Sequence, residues 1–130
     1  MPPGGNDGAM TMFEDVKVLA AHLPEVTEST SYGTPSLKVR GKSFCRMWGG
    51  REYERYVVDD TEVLVLFCEV EEKAFLIETS GGSLFTTPHY DGHGAVLVRL
   101  TDIGRAELTD LLEASYLLKA PPALRRSLGR

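Results

Sequence analysis

The chain is short of cysteine, of long apolar runs and of every common catalytic signature. Its two cysteines, Cys45 and Cys68, stand in apolar strand-like stretches and in no spaced metal motif. Both read as buried free thiols; a disulfide would require the strands to bring them close. No apolar run approaches the ~20 residues that cross a bilayer; the longest, Val63 to Cys68, is strand-sized. There is no complete phosphate-cradling G-x-x-x-x-G-K-S/T loop, no nucleophile elbow and no metalloprotease helix. Lysine and arginine number 14 against 19 aspartates and glutamates, a formal charge of −5. That balance argues against non-specific attachment to nucleic acid or anionic lipid, which needs clustered cations, yet it permits a local basic patch. Met1 to Gly8 has neither a basic nor an apolar signal region. Residues 1–10 read as a disordered leader, 11–125 as one domain and 126–130 as a flexible tail, in a cytoplasmic protein without a membrane segment.

Three helical patterns are present. Thr11 with Glu14 forms a capping box, and Met12, Val16, Leu19, Ala20 and Leu23 recur at helical spacing until Pro24 ends the run. Glu69 to Thr79 places Val70, Ala74 and Ile77 on one side, with Glu69, Glu71 and Glu72 as an acidic, solvated first turn. Ser80-Gly81-Gly82-Ser83 reads as its stop. Arg105 to Lys119 carries an inner stripe of Leu108, Leu111, Leu112, Ser115 and Leu118; Pro121-Pro122 ends it, and Pro122 suits the start of a short terminal helix.

Between the helices lie strand patterns at Glu25–Tyr32, Ser36–Arg40, Lys42–Trp48, Glu62–Cys68, Leu84–Thr87 and Ala95–Leu100. Gly41 supplies a hairpin turn after Arg40, as two residues or as a longer loop; the choice sets the register. Gly49 to Arg55 reads as a loop or frayed hairpin tip, and Pro88 to Gly94 as a polar loop. The short connections imply an antiparallel sheet. The expected fold is a two-layer α+β domain with helices on one face, in the order α-β(3-4)-α-β(2)-α.

Leu23-Pro24-Glu25-Val26, Ser31-Tyr32-Gly33-Thr34-Pro35-Ser36-Leu37-Lys38-Val39 and Gly41-Lys42-Ser43-Phe44 together resemble the MmcQ/YjbR family. Phe85 to Gly92, Val96 to Leu100, Glu107 to Tyr116 and Ala120-Pro121 extend the likeness over roughly Phe13 to Leu124. The resemblance implies an α-β-β-β-α-β-β-α fold similar to secretion chaperones. It also implies DNA binding through a "double wing" of β-hairpins, and it carries no catalytic motif.

The residues themselves offer two candidate sites. Lys38, Arg40, Lys42 and Arg46 lie between Ser36 and Trp48 with no acid among them, and Arg51 extends the patch, although Glu52 and Glu54 offset Arg51 and Arg55. Such a hairpin can contact phosphates, with Phe44 or Trp48 stacking on a base or sugar; equally, it is a solvated strand face with both aromatics in the core. The second candidate is a ligand cleft formed by Tyr32, Trp48, His89 and Tyr90. His89, Asp91 and His93 share one loop, where turn chemistry accounts for Asp91-Gly92 and Gly94 without a metal. The expectation is a non-enzymatic DNA-binding protein with no cofactor or metal. The alternatives are a protein-interaction module or homodimer, and a small-molecule binder.

Overall fold

The computed structural model describes residues 13–31, 33–55 and 62–128, apart from the side chains of Arg51, Glu54 and Arg55. Tyr32, the side chain of Arg51, the leader and the Thr11 cap lie outside the described residues. The element order is α1 (Phe13–Ala20), β1 (Val26–Ser31), β2 (Thr34–Val39), β3 (Lys42–Met47), α2 (Gly50–Arg55), β4 (Val63–Phe67), α3 (Lys73–Thr79), β5 (Leu84–Phe85), β6 (Ala95–Arg99), α4 (Arg105–Lys119) and α5 (Pro122–Ser127). The strands form an antiparallel sheet in the order β1-β2-β3-β4-β6-β5. The fold is therefore α+β, as the pattern of periods predicts.

The β2–β3 connection is a two-residue turn. Val39 pairs with Lys42, and Arg40 and Gly41 both have left-handed backbones, φ 51° and 81°. Two successive positive φ values are the signature of a type I′ turn, whose twist suits a hairpin. One residue later the register shifts, with Leu37 facing Cys45 while Lys38 faces Ser43. Phe44 is left without a ladder partner, as in a β-bulge. Adjacent Phe44 and Cys45 are consequently both fully buried, and the Ser115 hydroxyl donates to the Phe44 carbonyl at 2.6 Å.

One face of the sheet, carrying Leu37, Val39, Leu64, Leu66, Val96 and Val98, meets α1, α4 and the inner sides of α3 and α5. Val16, Ala20, Leu108, Leu112 and Tyr116 fill the space between. Tyr116 is fully buried, its ring edge-on to Phe44 at 5.7 Å and its hydroxyl donating to the Pro24 carbonyl at 2.8 Å. The sheet also has a smaller core on its other face, where Val63, Val65, Ala95 and Leu97 lie beneath Trp48 and Tyr90. This explains why β4 and β6 read as continuous apolar runs: both their faces are covered.

Three local readings change. Gly49–Arg55 contains a short helix, α2, in place of a loop: the Glu52 and Tyr53 amides donate to the Gly49 carbonyl, and the Glu52 carboxylate accepts from the Gly49 N–H at 2.8 Å. That is the reaching-back half of a capping box. The first helix stops at Ala20, short of Leu23, because the chain must turn ahead of Pro24 and the left-handed Glu25, φ 60°. On α3 the inward residues are Lys73, Leu76 and Ile77, while Val70 and Ala74 are exposed. A buried lysine takes the place expected of an apolar side chain, and its acceptors lie in the site.

Candidate functional site

The hairpin does not present its cations as one strip. Side chains alternate across a strand, and paired residues share a face. Lys38, opposite Ser43, and Arg46, opposite Ser36, lie on the face away from α4; Lys42 pairs with Val39 and belongs to the other. Arg40 occupies the turn, where its guanidinium makes a bidentate contact with Glu25, one bond being 3.0 Å. Arg46 is bidentate to Glu52 at 3.2 and 2.9 Å. Trp48, only 4% exposed, packs edge-on against Tyr53 at 5.1 Å and Phe85 at 6.0 Å. Phe44 and Trp48 are thus core residues, and neither has a face to offer a base.

A groove of about 1320 Å³ opens on the second face of the sheet. Val65, Phe67 and Ala95 form its floor, His89, Tyr90, His93 and Gly94 one wall, and Arg46, Gly49 and Glu52 another. Of the four predicted ligand residues it gathers His89 and Tyr90; Trp48 lies in the core beside it, and Tyr32 is outside the described residues. Lys119 closes one end, its ammonium 4.4 Å from the centre of the Phe67 ring, a cation–π contact.

The wall is held by a part-buried polar network. Tyr90 donates to Glu52 Oε2 at 2.8 Å and accepts from Arg46 Nη2 at 2.9 Å. Burial, then the Glu52 contact, pushes the Tyr90 phenol up to about 12, so it is a neutral donor at physiological pH. For Glu52, burial raises the carboxyl, but the hydrogen bonds from Arg46, Gly49 and Tyr90 outweigh it and leave the group below its ordinary value. The Lys73 ammonium, lowered by burial, donates to the carbonyls of Tyr90 and His93. It thereby fixes both ends of a tight turn that starts as a 3₁₀ helix at Pro88–Tyr90. His89 and His93 project beyond this turn, their rings nearly parallel with centroids 6.2 Å apart. Among the described residues no three His, Cys, Asp or Glu side chains are grouped to hold a metal ion. Burial pushes the Cys45 thiol up to about 12 and also raises Cys68, so neither is an activated nucleophile.

Gly94 is a close-approach position. A Cβ there would stand 2.7 Å from the Cys68 carbonyl oxygen, which is backbone and cannot swing aside. Gly94→Ala is expected to destabilise the protein by about 1–3 kcal/mol, as for other overpacked sites, and to shift the amide resonances of Cys68 and Ala95. A thermal melt matching wild type would contradict this.

Arg46 and Tyr90 stand 44 positions apart, so no sequence spacing announces their contact. In the sequence Glu52 stands out only as a neighbour offsetting Arg51, and nothing there singles out Lys73.

Residues 21–118 match the family model described as YjbR. The chain is also 46% identical, over 52 residues, to uncharacterised proteins of Mycobacterium bovis and Mycobacterium tuberculosis. That match spans 40% of this chain and 40% of each relative. Among solved structures, a Deinococcus radiodurans protein with a DUF419 domain superposes with a TM-score of 0.66 at 24% identity. The superposition covers 92% of this chain and 89% of that one, a likeness of fold. Among the described residues no helix is long and apolar enough to cross a membrane.

Proposed function

The chain belongs to the YjbR family, and we propose that this member is a non-enzymatic ligand-binding domain whose site is the groove on the second face of the sheet. The observation that carries this reading is an apolar floor of Val65, Phe67 and Ala95 beside the Arg46–Glu52–Tyr90 network. Small-molecule sites pair a largely apolar concavity with a few placed polar groups in this way. The groove's charges nearly cancel: Arg46 and Lys119 face Glu52 and Glu69. Such a lining favours a small molecule with an apolar body over a polyanion.

A panel of aromatic and aliphatic amides together with their parent carboxylic acids, followed by amide chemical shifts, tests the groove. Members of the panel should bind in the millimolar range typical of fragments and shift Val65, Phe67, Gly94 and Ala95. Failure of the whole panel to perturb these residues would remove the reading.

The rival reading is DNA binding through the β2–β3 hairpin. Its support is weaker because Arg40 and Arg46 are engaged by Glu25 and Glu52. Each neutralised phosphate contributes about −0.9 to the slope of log affinity against log salt. Lys38 and Lys42 alone would give a slope near −1.8, where all four cations would give about −3.6. The expected result with a short duplex at low salt is binding too weak to measure by anisotropy. Tight binding with the steeper slope would favour DNA over the groove.

A further inference from the structure

Glu52 occupies a complete carboxylate cradle. Its Oε1 accepts from the Gly49 N–H at 2.8 Å and from Arg46 Nη1 at 3.2 Å. Its Oε2 accepts from Arg46 Nη2 at 2.9 Å and from the Tyr90 hydroxyl at 2.8 Å. Two donors on each oxygen, one pair from a planar guanidinium, is the arrangement by which proteins recognise carboxylates. Capping of α2 accounts for the Gly49 contact alone. The Arg46 and Tyr90 contacts come from β3 and from the Pro88–Tyr90 turn, and they aim at the groove they line.

The cradle has anchors of its own. Arg46 Nη1 also donates to the Met47 carbonyl at 3.1 Å, and Lys73 holds the Tyr90 carbonyl. Withdrawal of Glu52 would leave the donors in place, charged or polar, beside a vacant slot. We infer that the Arg46–Gly49–Tyr90 cradle is a carboxylate-recognition site that Glu52 fills in the free chain, and that the groove's ligand is a small monocarboxylate whose apolar body lies on Val65 and Phe67.

This inference rests on the groove reading and deepens it. Exchanging one carboxylate for another conserves the four hydrogen bonds. A tethered Glu52 competes at an effective concentration of about millimolar or more, so acetate alone cannot displace it at low concentration. A ligand succeeds only by adding contact with the floor, which is why the site selects an apolar body as well as an anionic head.

The test compares 3-phenylpropionate with 3-phenylpropionamide on wild type, Glu52→Ala and Glu52→Gln, read by calorimetry and by the Tyr90 ring resonances. Removing the tethered competitor should tighten 3-phenylpropionate by about tenfold or more on Glu52→Ala, with the acid preferred over the amide by a similar factor. Acetate should raise the melting temperature of Glu52→Ala and leave wild type unchanged. If Glu52→Ala does not fold, Glu52→Gln, which retains the shape, should show the same acid preference at a smaller factor. Equal binding of acid and amide to both variants, with the floor resonances shifting, overturns the carboxylate assignment while the groove stands. Binding of neither probe to any form overturns both.

Discussion

Tyr116→Ala should lower stability by about 3–5 kcal/mol, the cost of emptying a large aromatic site in a core. Domains of this kind are stable by about 5–15 kcal/mol in total, so the variant should unfold at markedly lower urea or be partly unfolded in buffer. The ring is fully buried and edge-on to Phe44, and Phe44 is itself fixed by the bulge and by Ser115. Three elements therefore lose their filling together. Tyr116→Phe separates the ring from its hydroxyl. It removes only the bond to the Pro24 carbonyl and should cost about 0.5–1.5 kcal/mol. Comparable losses for the two variants would mean that the hydroxyl, and with it the Pro24 turn, carries the site.

Arg46→Ala should cost about 2–3 kcal/mol at pH 7. Removing one partner of a buried pair costs about 3–5 kcal/mol. The discount reflects side chains that are still 13% and 21% exposed for Arg46 and Glu52. The pH dependence is the sharper test. In wild type, burial raises the Glu52 carboxyl, but Arg46, Gly49 and Tyr90 together bring it below 4.5. A carboxyl lowered by folding contributes stability that is complete above its unfolded value and is lost as pH falls through the folded one. In the variant, burial acts without its main counterweight, so Glu52 takes a proton at a higher pH and the stranded charge is relieved. The stability gap between the two proteins should narrow steadily as pH falls from 7 toward 4. A constant gap would show that Arg46 acts through packing alone.

The parts of this fold legible in the sequence are those set by local periodicity. Arg105 to Lys119 is helical over the predicted range, and β4 and β6 fall inside the predicted apolar runs. In these segments the side-chain repeat and the burial pattern coincide. The candidate site was legible only in pieces. His89 and Tyr90 were flagged together because a loop held them adjacent, but their partners arrive from β3 and α2. The four hairpin cations looked like a patch because sequence order hides both alternation across strands and the carboxylates that tertiary structure brings in. Tyr116 continues Leu108 and Leu112 at four-residue steps and so falls on the inner stripe; what the spacing does not show is its edge-on partner Phe44, which the β-bulge turns toward the helix.

The unequal cores on the two faces of the sheet imply unequal resistance to opening. The larger core holds the strands from the side of α4, so α2 and the Pro88–Gly94 turn, held by the smaller core and the bonds of Arg46 and Lys73, are expected to open before the ladder unpairs. In amide hydrogen exchange, Glu52, Tyr53, Tyr90 and His93, whose bonds are local turn bonds, should exchange through that opening. Val65 and Leu97, paired within the ladder, should fall in the slowest class. The groove itself is open; exchange of Glu52 for a ligand carboxylate would draw only on that partial opening, and the fold as a whole need not loosen.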